Sequence, residues 1–133
     1  MPFVVDASVS ATWLLPDEGN LVASAAYERL LTDHAIVPSL WWFEMCNIFL
    51  TNVRRGRVTR EQADRALALL ADLPIAIDPA PDHERLMRLA RAHGLTAYDA
   101  AYLALSVRDG VPLVTTDQAL HQAAVAEGCA FRS

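Results

Sequence analysis

Two apolar rhythms alternate along the chain. Short runs of β-branched and other apolar residues, as in Phe3-Val4-Val5, predict buried strands, and longer stretches with apolar positions every three or four residues predict helices. The first strand ends at Asp6. A helix is expected from about Ser8 to Pro16, then a turn through Asp17, Glu18, Gly19 and Asn20. From Leu21 to Leu31, the residues Ala23, Tyr27, Leu30 and Leu31 make one helical stripe. Ala35-Ile36-Val37 is the second strand, closed by Pro38. Ser39 is placed to cap a helix running from Leu40 to about Arg55, with Gly56 as its stop. Thr59 opens the next helix, which Pro74 ends after Leu73, making a helical hairpin. Ile75-Ala76-Ile77 is a third strand. Asp82 caps a helix ending at Gly94, and Thr96 begins another, stopped by Gly110. Pro112 to Thr116 forms a fourth strand. Asp117 leads the last helix to Gly128, and Cys129-Ala130-Phe131 is a short fifth strand.

This alternation predicts an α/β fold, a parallel sheet with helices on both faces, in a single domain over residues 1–133. Sites in such folds lie beyond the carboxyl ends of the strands, where Asp6 and Asp117 fall.

Four acids stand out. Asp6 and Asp117 each follow an apolar strand. Glu44 lies inside the most apolar helix, several residues beyond the cap, with no basic residue in its run. Asp99 lies in another apolar helix. A buried acid needs a partner. Three of the four also suit local structural work: Asp6 as a turn residue, Asp99 in a capping box with Thr96, and Asp117 as an N-cap. Taken together they imply more. At a spacing of about 6 Å and an effective dielectric near 20, each ionised pair repels by about 3 kcal/mol. Six such pairs would rival the whole stability of a domain, about 5–15 kcal/mol. Such a cluster takes up protons or binds cations, and oxygen-only ligands suit Mg²⁺ or Mn²⁺ over zinc. A divalent ion so held can acidify water and stabilise charge on a phosphodiester.

Composition narrows the chemistry. All eleven basic residues are arginine, so no lysine can serve as a Schiff base or phosphate clamp. That argues against receiver-like and dehalogenase-like phosphoacceptor folds, which also place an Asp after a strand. The net charge of −5 does not advertise nucleic-acid binding, although bound cations can reverse the local sign. His34, His83, His93 and His121 show no paired metal-ligand spacing and are expected at the surface. Cys46 reads as a small core residue, and with Cys129 it makes no disulfide framework. The start resembles no signal peptide, and no apolar stretch approaches the ~18 residues of a membrane span, so a cytoplasmic protein is expected.

The ordered set Val4-Val5-Asp6-Ala7-Ser8, Glu44 in its apolar helix, Leu95-Thr96-Ala97-Tyr98-Asp99-Ala100-Ala101-Tyr102-Leu103-Ala104, and Leu113-Val114-Thr115-Thr116-Asp117 resembles the PIN-domain nucleases, and within them the VapC toxins of toxin–antitoxin pairs. The resemblance spans nearly the whole chain. It implies a three-layer α/β/α fold with a parallel sheet of about five strands, and RNA cleavage dependent on Mg²⁺ or Mn²⁺. Asp6 and Asp99 would be the principal metal ligands, with Glu44 and Asp117 completing the catalytic quartet and Ser8 and Thr116 supporting it. It also implies a homodimer and a VapB-type antitoxin that masks the site. A PIN nuclease of RNA processing, or a partner-binding module holding a structural cation, are the alternatives.

Other features have two readings each. Arg54, Arg55, Arg57 and Arg60 either contact RNA phosphates or solvate a hairpin. Trp13, Leu14 and Leu15 either pack in the core or line an antitoxin groove. Trp41 and Trp42 are adjacent, so one belongs in the core and the other is free to reach a dimer contact. Glu61–Arg65 and Glu84–Arg88 are spaced for surface ion pairs.

Overall fold

The computed structural model describes residues 1–15 and 19–132. In chain order it holds β1 (Phe3–Val5), α1 (Ala7–Thr12), α2 (Leu21–Arg29), β2 (Ala35–Pro38), α3 (Leu40–Arg54), α4 (Arg60–Asp72), β3 (Ile75–Asp78), α5 (His83–His93), α6 (Ala97–Asp109), β4 (Leu113–Val114) and α7 (Gln118–Ala126). The expected helix stop at Pro16 and the turn residues Asp17 and Glu18 lie outside the described residues.

The strands form one sheet in the order β3-β2-β1-β4, every pairing parallel. Its centre is apolar throughout. Phe3, Val4 and Val5 expose nothing to solvent, and Val37, Leu113 and Val114 are equally closed off. That suits an inner strand covered on both faces, where no polar alternation survives. Crossover helices bury the rest: Leu103 and Leu105 of α6, Met45 and Phe49 of α3, and Leu120 of α7 all enter the core.

The sheet has four strands among the described residues, one fewer than expected. Cys129-Ala130-Phe131 does run alongside Leu113, but only Leu113 and Ala130 pair. Two backbone bonds hold it there, Leu113 N–H to the Cys129 carbonyl at 2.8 Å and Phe131 N–H to the Leu113 carbonyl at 3.2 Å. A single bridge is too short to propagate a ladder. The fourth strand is also shorter than the predicted Pro112–Thr116, because the chain leaves the sheet once Asp6 N–H has bonded the Val114 carbonyl at 3.2 Å.

Capping followed the residue types with one exception. Thr59 and Gln62 close a reciprocal capping box on α4, and Gly94 and Gly110 take the left-handed conformation that ends α5 and α6. Ser39 does not cap α3: its backbone is already helical and its side chain bonds no helix N–H.

The tryptophans sort by burial. Trp41 is 2% exposed and donates its indole N–H to Ser10 Oγ at 3.0 Å. Trp42 is half-buried and leans on it. Trp13 donates to the Ala23 carbonyl at 2.9 Å and packs on Tyr27, so it is anchored to α2, with Leu14 and Leu15 partly buried on the core. Cys46 is half-buried, short of the core position expected, and both cysteines are free. His93 departs from the expected surface role: it is partly buried and bonds Glu127 at 2.8 Å, joining the ends of α5 and α7. Neither Glu61–Arg65 nor Glu84–Arg88 forms an ion pair; Arg85 pairs with Asp82 at 3.2 Å instead. Among the described residues no helix is long and apolar enough to cross a membrane.

Candidate active site

Asp6 leaves β1 and becomes the N-cap of α1. Its Oδ1 accepts from the Val9 backbone N–H at 3.0 Å and from Ser8 Oγ at 2.9 Å. Its Oδ2 accepts from Thr115 Oγ1 at 2.5 Å. A carboxylate has about four acceptor positions, so one remains open, on Oδ2. The backbone behind it is fixed as well, since Ser10 Oγ donates to the Asp6 carbonyl at 2.8 Å while accepting from Trp41. Asp6 is thus both the turn acid that local chemistry suggested and a buried group at the sheet's carboxyl edge.

Thr115 joins Asp6 to the second strand-end acid. Its hydroxyl donates to Asp6 and accepts the Asp117 backbone N–H at 3.0 Å. Asp117 caps α7 by accepting the Leu120 N–H on Oδ2 at 2.9 Å. The threonine that touches the acids is therefore Thr115, which is buried, and not the exposed Thr116. Strand alternation offered a signal: a threonine following buried Leu113 and Val114 needs a partner for its hydroxyl.

Glu44 comes from α3 and is half-buried. Its Oε1 accepts from the Tyr102 hydroxyl of α6 at 2.5 Å. Asp99 lies one turn earlier on α6. Thr96 accepts the Asp99 N–H at 3.1 Å, but the Asp99 carboxylate does not return the bond, so the capping box is only half made and the carboxylate is left for other work. Tyr102 had no assigned role from sequence, although its three-residue spacing from Asp99 puts both on one helix face.

The electrostatics tie these acids together. Burial pushes the Asp6 carboxyl above its ordinary pKa against its three hydrogen bonds, and the charge on Asp117 adds to the rise. Glu44 is raised by burial, partly offset by Tyr102, and further raised by Asp6 and Asp99. Asp99 is raised by burial, then by Asp117 and Asp6. Acids from two helices and two strand ends therefore share one neighbourhood of negative potential, in which the charges of Asp6, Asp99 and Asp117 make neighbouring carboxylates harder to ionise.

Among the described residues no three His, Cys, Asp or Glu side chains are drawn into a ready metal cage. The donor set nevertheless fits a hard cation. Every candidate ligand is a carboxylate oxygen, with open positions on Asp6, Glu44 and Asp99, and Mg²⁺ characteristically takes only one or two carboxylates while keeping several waters. The exposed Arg54, Arg55, Arg57 and Arg60 sit around the α3–α4 turn, on elements that do not include the strand ends.

The chain's resemblances to known proteins fall on the same elements. The sequence profile of the PIN domain matches residues 3–126. Ribonuclease VapC3 of Pyrobaculum aerophilum is 33% identical over 123 residues, spanning 90% of this chain and 92% of that protein. Exonuclease VapC9 of the same organism is 35% identical over 110 residues, spanning 80% and 81%. The crystal structure of PAE2754, also from Pyrobaculum aerophilum, superposes with a TM-score of 0.73 at 26% identity, covering 92% of this chain and 84% of that one. Sequence and fold agree: this chain belongs to the PIN-domain family, within its VapC branch.

Proposed function

We propose that the chain is a Mg²⁺- or Mn²⁺-dependent endoribonuclease, the toxin of a pair whose antitoxin is of the VapB type, acting as a cytoplasmic homodimer. The observation that carries this reading is the convergence of carboxylates at the carboxyl edge of the sheet, where the charges of Asp6, Asp99 and Asp117 raise the pKa of neighbouring acids. Two relatives bearing nuclease names, one a ribonuclease and one an exonuclease, support hydrolysis of a nucleic-acid backbone.

Asp6 and Asp99 would hold the ion, with Glu44 and Asp117 beside them. A bound divalent ion supplies positive charge to the phosphodiester and acidifies water there. The chain's own part is positioning. Ser8, the Val9 N–H and Thr115 fix the Asp6 carboxylate in one orientation. Thr115 also anchors the backbone from which Asp117 projects. The Asp99 carboxylate, which makes no hydrogen bond among the described residues, is free to turn toward an incoming cation. Phe43 and Leu50, exposed on α3, provide apolar surface for a dimer contact.

The test is incubation of purified, antitoxin-free protein with total cellular RNA in Mn²⁺ or Mg²⁺, beside Asp99→Asn. Discrete internal fragments that disappear with EDTA and with the variant support an endonuclease, whereas progressive shortening from one end would make it an exonuclease. Metal-dependent stabilisation without any RNA cutting would leave the acids as a structural cation site.

A further inference from the structure

Tyr102 is 1% exposed, yet it carries a hydroxyl. A buried phenol is costly unless its O–H finds an acceptor. That acceptor is Glu44 Oε1, at 2.5 Å and 58 residues away in the chain. An O–H donated to a carboxylate at this length is in the charge-assisted range. Burial first, then the Glu44 bond and the charges of Glu44 and Asp6, hold the phenol in its protonated, donating form. Tyr102 thus stands where the elements carrying Asp6, Glu44 and Asp99 meet: the start of α1, the middle of α3 and the first turns of α6.

We propose that Tyr102 is a positioning residue of the acid site: by bonding Oε1 it locks the Glu44 side chain so that Oε2 stays presented to the cation and substrate. The inference rests on the function proposed above. Glu44 has several rotatable bonds and its helix places it at the half-buried margin of the site, so without an anchor its carboxylate would sample solvent. Asp6 is held by a backbone amide and two hydroxyls of its own neighbourhood. Glu44 has no such local support among the described residues and relies on one hydroxyl from another helix.

Tyr102→Phe removes the hydroxyl and keeps the ring. The readouts are Mn²⁺ binding to the RNA-free protein by electron paramagnetic resonance, and kcat and KM on RNA, for the parent, Tyr102→Phe, Glu44→Gln and the double variant. Hydrogen bonds that orient a metal-binding carboxylate are worth roughly 10- to 100-fold in metal affinity or activity. The expected result is a loss of that size in Mn²⁺ affinity and kcat for Tyr102→Phe, an RNA KM within about twofold of the parent, and a double variant no worse than Glu44→Gln. Tyr102→Phe binding Mn²⁺ and cutting like the parent would overturn the inference alone. So would a double variant that loses further ground, since Tyr102 would then act through packing and not through Glu44. A parent that neither binds Mn²⁺ nor cuts RNA would overturn the proposed function and this inference with it.

Discussion

The strand-end acids and the helix acids carry the same charge but are held by different means. Asp6 and Asp117 sit where β1 and β4 give way to helices, and each doubles as a helix cap. Backbone amides and a shared Thr115 hydroxyl fix them, so their orientation is inseparable from the fold. Glu44 and Asp99 project from α3 and α6. One is tethered by a single phenol and the other by nothing among the described residues. The first pair is pre-organised and expensive to alter, whereas the second can be changed without dismantling the scaffold. A site built this way has a rigid half and an adjustable half.

Asp99→Asn should break the comparison most cleanly. It removes charge without removing a structural bond, so catalysis should fall by roughly a thousandfold, about 4 kcal/mol of barrier, with folding intact. Steady-state cleavage and circular dichroism on the same sample check this, and near-parental rates would remove Asp99 from the site.

Asp6→Asn should fail on both counts. An amide has one acceptor oxygen to offer three donors, and its NH₂ would face a hydroxyl or an amide that also donates. The expected result is lost cleavage together with about 2 kcal/mol of lost stability, read from urea unfolding. Equal stability to the parent would mean that the strand-end acids are no more structural than Asp99.

Thr115→Val keeps shape but strips the link between Asp6 and Asp117, leaving the Asp117 N–H without its acceptor. A loss of about 1–2 kcal/mol is expected in the same assay, accompanied by weaker Mn²⁺ binding. Thr116→Val, at the exposed neighbour, should change neither.

The smallest effect concerns pH. Asp6, Glu44 and Asp99 have folded-state pKa values above the ordinary carboxylate range. The folded state therefore retains protons that the unfolded chain has released. This contribution to stability is present in full below the unfolded carboxylate values and is lost as pH rises through the raised folded ones. In EDTA the melting temperature should decline from this source as pH rises through the raised carboxylate values, and Glu44→Gln should flatten the decline. A steeper decline in the variant would show that the acids do not oppose one another. Added Mn²⁺ should recover the loss, and do so less well in acid, where protons compete for the ligands.

Much of the architecture was legible because it is local. The strand runs, the proline and glycine stops and the cap residues Thr59, Asp82, Thr96 and Asp117 act over one or two turns, and each did its expected work. The four acids stood out for a related reason, since an acid beside or inside an apolar run is conspicuous in one dimension, although the fold leaves Asp117 exposed. Ser39 misled because a helix can begin without a side-chain cap once its first residue is already helical. The fifth strand misled because β propensity says nothing about how many ladder partners a segment will find.

By itself, then, the order of residues determined the parallel α/β class and the element boundaries to within a few residues. Only the tertiary structure decided that Thr115 and not Thr116 turns inward to Asp6, that Asp99 leaves its capping box open, and that a phenol on α6 reaches Glu44 on α3. The Thr115–Asp6 and Tyr102–Glu44 bonds join segments far apart in the chain, selected by packing and by the need of each buried polar group for a partner, and no short-range pattern encodes them.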